Sequence, residues 1–233
     1  MSVSSGAGGK ARVLALHGYL QNAEVFRSRT GALRKALKKR CDFVFVNGPH
    51  EITVDLSGNE IKTCDGEDSQ KHYGWWVAPG GGPPRETTSS QGWEKSLETL
   101  DDVIKREGPF DGILGFSMGS AAASLLLAAI ESGRIDSQQQ FKWCLLFGGF
   151  VPRDPKLAAA LTEKALPIPS LHYSGKQDEL VIESRSLELF ECFDEGTRSF
   201  ETHPQGHCIP SLREVRERVK AYVNTVVPDP NVS

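Results

Sequence analysis

Short runs of β-branched and aliphatic residues alternate along this chain with longer segments in which apolar positions recur every three or four residues. Six runs read as strands: Arg12 to Leu16, Asp42 to Val46, Gly112 to Gly115, Lys142 to Phe147, Ser170 to Tyr173 and Arg198 to Glu201. Several are apolar throughout, as in Val44-Phe45-Val46 and Cys144-Leu145-Leu146-Phe147. Such runs suit strands buried on both faces better than a half-solvated antiparallel sheet. Between them the spacing predicts helices over Ala23 to Lys39, Trp93 to Arg106, Met118 to Glu131, Pro155 to Lys164, Glu183 to Phe193 and Ser211 to Val223. The alternation predicts an α/β fold: about six mostly parallel strands with helices on both faces.

No internal repeat interrupts this rhythm, and residues 11–226 read as a single domain between an N-terminal tail over 1–10 and a C-terminal tail over 227–233. Residues 47–92 break the pattern with polar turns, Gly80-Gly81-Gly82-Pro83-Pro84 and the apolar Trp75-Trp76-Val77. A connection this long inside a compact domain is commonly either functional or disordered, and the paired tryptophans favour function. The segment is therefore expected as an insertion or long loop near the site.

Composition narrows the function classes. The 233 residues carry 39% hydrophobic residues and a formal net charge of −3. That balance offers no global attraction for nucleic acid or an anionic membrane surface. The basic run Arg34, Lys35, Lys38, Lys39 and Arg40 alternates with Leu33, Ala36 and Leu37 and reads as the solvated face of an amphipathic helix. No membrane span is expected, because the longest apolar stretch, Ala121 to Ile130, is too short to cross a bilayer. Five cysteines without CxxC spacing disfavour a disulfide framework or structural zinc and favour a reducing, cytoplasmic compartment.

The strongest chemical signal is Gly115-Phe116-Ser117-Met118-Gly119. Strand-like Ile113-Leu114 precedes it and the small residues Ser120-Ala121-Ala122-Ala123 open a helix after it, the context a GxSxG nucleophile elbow requires. The turn is tight enough that side chains two before and two after the serine would clash. Ser117 is then held at the carboxyl edge of the sheet.

A nucleophilic serine needs a base, and the base needs an orienting acid. In this class the chain order is serine, acid, histidine. His172, His203 and His207 follow Ser117. His172 lies inside a strand and reads as a core histidine. His207, in Gln205-Gly206-His207-Cys208-Ile209-Pro210, occupies a loop between the last strand and helix and is preferred over His203. Pro204 and Gly206 rule out the helix that two metal-ligating histidines four apart would need, so no metal is expected. Asp178 is first in the loop leaving the fifth strand and is preferred over Glu179 and Glu183 as the acid.

Acyl transfer also needs donors for a tetrahedral oxyanion. The backbone N–H groups of Met118, just after the nucleophile, and Tyr19, in the loop Leu16-His17-Gly18-Tyr19-Leu20-Gln21-Asn22, are the candidates. His17 precedes the nucleophile and reads as a structural residue of that loop. Trp75, Trp76 and Val77, with Phe150, are candidates for an apolar acyl pocket; a satellite core is the alternative for the tryptophans.

With these residues in view, the chain resembles the fungal-type serine hydrolase family abbreviated FSH, which includes the ovarian-cancer-associated esterases of animals. The resemblance covers nearly the whole chain. It rests on Leu16-His17-Gly18-Tyr19-Leu20-Gln21, Asn47-Gly48-Pro49-His50, Gly74-Trp75-Trp76, the run from Gly108 to Gly119, and Gly206-His207-Cys208-Ile209-Pro210. It implies a compact α/β hydrolase lacking the first antiparallel strands of larger relatives, with Ser117, Asp178 and His207 as its triad and no cofactor. It further implies carboxylesterase activity on a small-molecule acyl ester, several members favouring linear medium-to-long acyl chains, with thioesterase activity as the alternative. Cys208 in place of an aromatic residue departs from the family pattern. A peptidase is disfavoured because nothing in this short chain builds a gating domain, and a receptor or scaffold with a hydrolase fold is the remaining rival. Oligomeric state is left open by the sequence.

Overall fold

The computed structural model describes residues 9–61, 71–81, 87–135 and 139–227. The strands are β1 (Ala11–Leu16), β2 (Cys41–Val46), β3 (His50–Glu51), β4 (Tyr73–Gly74), β5 (Gly112–Phe116), β6 (Trp143–Phe147), β7 (Ser170–Gly175) and β8 (Arg198–His203). Six of them form one sheet in the order β2-β1-β5-β6-β7-β8, every neighbouring pair parallel. The helices are α1 (Ala23–Arg29), α2 (Gly31–Leu37), α3 (Trp93–Glu107), α4 (Met118–Glu131), α5 (Pro155–Thr162), α6 (Glu183–Glu191) and α7 (Arg213–Val226). The expected α/β architecture is therefore the observed one. The tails assigned to 1–10 and 227–233 lie almost wholly outside the described residues, as does Gly82-Pro83-Pro84.

Alternation along the strands splits the core into two layers. Leu14, Leu16, Cys144 and Leu146 face one side of the sheet, where they meet Leu97, Leu126, Leu157 and Leu189 from α3 to α6. Val13, Ala15, Leu145 and Phe147 face the other, against Phe26, Leu33, Leu37, Val219 and Val223 from α1, α2 and α7. Two covered faces explain why the central strands read as unbroken apolar runs.

Two details differ from the expectations. The single helix expected over Ala23 to Lys39 is two helices broken at Thr30, whose φ of −89° and ψ of 8° leave the helical region. Its hydroxyl donates to the carbonyls of Phe26 and Arg27 at 2.8 and 3.1 Å, so the side chain closes the first helix before Gly31 opens the second. The described residues of the segment 47–92 also contain paired strands. β3 pairs with β4, Gln21 bridges to Tyr73, and Val77 bridges to Gln91.

Two buried groups make the packing testable. Gly112 on β5 pairs with Trp143 on β6, and a Cβ at Gly112 would lie 2.3 Å from the indole. Gly112→Ala should therefore destabilise the protein by about 1–3 kcal/mol, the usual cost of overpacking, read as a lower urea midpoint at unchanged m. The second group is His172, buried in β7 between the rings of Phe190 and Phe193 and 3.0 Å from the Ser170 hydroxyl. Burial depresses its pKa to about 3, and that of buried His17 to about 4, against an ordinary 6.5. The unfolded chain then takes up protons that the folded chain refuses, so stability present above about pH 6.5 is lost as pH falls toward 4. Urea midpoints should decline across that window, and His172→Leu should flatten the decline; an identical slope in the variant would assign the effect elsewhere.

Candidate active site

The site begins at the end of β5, where the chain must turn from strand to helix within one residue. Ser117 donates its N–H to the Phe147 carbonyl at 2.8 Å, continuing the ladder, and then adopts φ 54° and ψ −121° before α4 starts at Met118. A non-glycine residue there is strained by about 1–3 kcal/mol and persists because its surroundings over-determine it. Those surroundings require the flanking glycines. A Cβ at Gly115 would stand 2.5 Å from the Ser120 Cα, and one at Gly119 would stand 2.1 Å from the Leu16 carbonyl oxygen.

Two loops bring partners to this serine. In the first, after β7, Asp178 is buried and its Oδ1 accepts from the N–H groups of Leu180 and Val181 at 2.9 and 2.8 Å. In the second, after β8, His207 places Nδ1 2.6 Å from Asp178 Oδ2 and Nε2 2.8 Å from Ser117 Oγ. A carboxylate only accepts, so Nδ1 carries the proton, Nε2 is the free lone pair, and the serine hydroxyl donates to it. Burial pushes the Asp178 carboxyl upward, but the hydrogen bonds from His207, Val181 and Leu180 outweigh it and hold the pKa below the ordinary carboxylate range. The loops are themselves joined: Lys176 N–H donates to the His203 carbonyl at 2.8 Å and Gln177 N–H to that of Gln205 at 3.3 Å.

Room for the imidazole is made by Gly148, which the sequence reading passed over. Its φ is 54°, and a Cβ there would lie 3.1 Å from His207 Cε1. Phe116 covers the ring at a centroid distance of 4.8 Å. His203, the alternative base, is buried at the end of β8 and does not line the cavity around Ser117. Both ring nitrogens of His207 are engaged within the Asp178–Ser117 series, which leaves neither for a metal.

The loop after β1 supplies the opposite wall. Gly18 approaches so closely that a Cβ would sit 3.2 Å from the Ser117 Cβ, and the Gln21 side chain accepts from the Gly18 N–H at 3.3 Å. His17 donates from Nδ1 to the Gly18 carbonyl at 2.7 Å and accepts the Gly48 N–H on Nε2 at 3.0 Å. It is a structural residue, as its position before the nucleophile suggests. Tyr19 follows Gly18 directly, and the Met118 N–H is the first of α4, where a helix provides no acceptor of its own. Both residues line the cavity.

That cavity, of about 250 Å³, holds Ser117 and His207 in its wall with Phe116, Trp76, Phe150, Leu180 and Val181. Of the four residues expected to form an acyl pocket, Trp76 and Phe150 therefore line it, whereas Trp75 and Val77 do not. Trp75 is fully buried behind the loop after β1, donating its indole N–H to the His17 carbonyl at 2.9 Å and accepting at its own carbonyl from the Ser96 hydroxyl. Val77 is occupied in its bridge to Gln91. Composition could not separate the adjacent tryptophans, since one fills the core and the other the cavity wall. The wall also contains Arg29, Arg153 and Arg185, which the sequence reading missed because they are far apart in the chain.

The geometry can be set beside known proteins. The zebrafish (Danio rerio) protein named Esterase OVCA2 is 33% identical over 222 residues, covering 91% of this chain and 96% of that protein. A Saccharomyces cerevisiae protein, Family of serine hydrolases 3, is 30% identical over 233 residues, covering 93% of this chain and 85% of its own. Among solved structures, Zea mays acyl-protein thioesterase 2 superposes with a TM-score of 0.61 at 18% identity, covering 95% of this chain and 97% of that one, a likeness of fold. Among the described residues no helix is long and apolar enough to cross a membrane. The family model described as Serine hydrolase (FSH1) matches residues 5–219, nearly the whole chain, and the protein belongs to that family.

Proposed function

We propose that this serine hydrolase cleaves carboxylic esters through an acyl-enzyme on Ser117. The observation that carries this reading is the unbroken series Asp178 to His207 to Ser117, with contacts of 2.6 and 2.8 Å. Asp178 holds His207 in the Nδ1–H tautomer. His207 Nε2 removes the hydroxyl proton as Ser117 Oγ attacks the acyl carbonyl, and the imidazolium that forms is stabilised by the carboxylate behind it. The tetrahedral oxyanion is received by the N–H groups of Met118 and Tyr19, a role supported by their place on either side of the serine; such donors are each worth on the order of 10² to 10³ in rate. His207 then protonates the departing alcohol or thiol, and water repeats the steps on the acyl-enzyme. A receptor that merely keeps the fold would have no need of a completed proton path.

The acyl chain is assigned to the cavity wall at Trp76, Phe150, Leu180 and Val181, whose apolar surfaces suit a linear chain of medium to long length. The compartment is assigned as cytoplasmic, on the ground that Cys41, Cys144, Cys192 and Cys208 are all unpaired.

Two measurements test these assignments. A fluorophosphonate probe should label the protein on Ser117; Ser117→Ala should lose both labelling and esterase activity, and Asp178→Asn should lower kcat by about 10⁴-fold, the scale for an acid that fixes the histidine tautomer. Steady turnover by Ser117→Ala would end the proposal. Across p-nitrophenyl esters of increasing length, kcat/KM should rise while the chain still gains contact with the apolar wall, and Phe150→Ala should flatten the rise. A flat profile in the wild-type protein would remove the acyl-pocket assignment and leave the triad standing.

A further inference from the structure

The cavity around Ser117 is not simply apolar, because three arginines share its wall: Arg29 at the end of α1, Arg153 before α5 and Arg185 in α6. They come from three separate parts of a chain whose net charge is −3, so neither a local basic run nor the overall balance accounts for their meeting. No aspartate or glutamate is among the described residues of the same wall. Arg185 is already committed, its guanidinium 4.7 Å from the centroid of the Phe150 ring and donating to the Val151 carbonyl at 3.2 Å. Arg29 and Arg153 make no hydrogen bond or ion pair among the described residues.

Two carboxylates near this wall among the described residues are held by backbone donors and not by its arginines. Asp154, next to Arg153, is buried and accepts from the N–H groups of Ser90 and Lys156 at 2.7 and 2.9 Å. Asp55, whose charge reaches Tyr19 on the cavity wall, accepts from the N–H groups of Ser57 and Asn59 at 2.8 and 2.9 Å. Arg29 and Arg153 are exposed, and cationic side chains at the mouth of a cleft attract an incoming ligand of the opposite charge. A guanidinium in that position presents a planar fork matched to a carboxylate or phosphate.

We propose that the ester or thioester turned over at Ser117 carries an anionic group, a carboxylate or a phosphate, which Arg29 and Arg153 bind at the rim of the cavity. The proposal rests on Ser117 being the nucleophile, and it adds a charged end to the substrate. The anion can belong to the acyl part, as in a half-ester of a dicarboxylic acid, or to the leaving group, as in a thioester of a phosphorylated carrier. Both present the same chemistry to the arginines.

Two substrate pairs separate these sources on the full chain: mono-p-nitrophenyl glutarate against p-nitrophenyl valerate, and butyryl-coenzyme A against butyryl-pantetheine. We expect kcat/KM to favour the anionic member in at least one pair, and that pair names the source. Added salt should erode the preference. The double variant Arg29→Gln/Arg153→Gln should lower the anionic-to-neutral ratio by about tenfold, the scale of one charge-assisted hydrogen bond. No preference in either pair, or a preference that survives in the double variant, overturns the proposal. Titration calorimetry of Ser117→Ala with monomethyl against dimethyl glutarate, and with coenzyme A against pantetheine, reads the anion site without turnover. Arginine-dependent binding there, alongside continued hydrolysis by Ser117→Ala, would keep the anion site and remove the nucleophile. Hydrolysis lost in that variant with no arginine-dependent preference or binding would do the reverse.

Discussion

The tight turn at Ser117 constrains everything around it. One residue ends a central strand, crosses to φ 54° and starts a helix, and it can do so only where neither neighbour two positions away has a side chain. The strain is offset by what the turn joins. β5 lies between β1 and β6 in the sheet, and residues 118–129 of α4 are all buried. A turn clamped between two such elements has no relaxed alternative that does not unpack the core, so the hydroxyl is fixed in space before any partner arrives.

The partners arrive at the right place because the sheet is parallel. Every strand of it ends at the same edge, so the loops after β1, β5, β7 and β8 converge there without any long detour of the chain. The loops after β7 and β8 then hold each other through main-chain hydrogen bonds, which fixes the acid and the base as a pair. Gly175 permits that contact: a Cβ on it would sit 2.5 Å from the Gln205 carbonyl oxygen. The aspartate spends its other oxygen on two backbone donors of its own loop, so its orientation is set independently of the histidine it serves.

What could be read from the sequence follows from which interactions are local. Strands covered on both faces leave apolar runs, and a turn that needs glycine at two fixed offsets leaves a motif, so the sheet and Ser117 were legible. His207 and Asp178 were legible through chain order and loop position, because parallel topology converts order into location. The break at Thr30 was missed: a threonine closing a helix with its own hydroxyl looks like any polar position within an amphipathic pattern. Trp75 stayed open between pocket and core because its indole N–H finds the carbonyl of His17, 58 positions earlier in the chain. Gly148 escaped for the same reason, since the imidazole it makes room for belongs to a loop that sequence proximity does not reveal.

These two kinds of residue divide the labour of the site. The groups proposed to move protons and receive charge stand at strand ends: on the loops after β1, β7 and β8 and at the turn from β5 into α4. The groups that would greet the rest of the substrate, Trp76, Phe150, Arg29 and Arg153, stand on the segment 47–92, on α1 and on the connection before α5. None of those four side chains takes part in the proton path, so their identities can change the ligand without disturbing the strained turn. On the proposed roles, selectivity is mechanically separable from chemistry: the sheet edge would govern how a bond is broken, and the surrounding helices and insertion which molecule is held there long enough for that to happen.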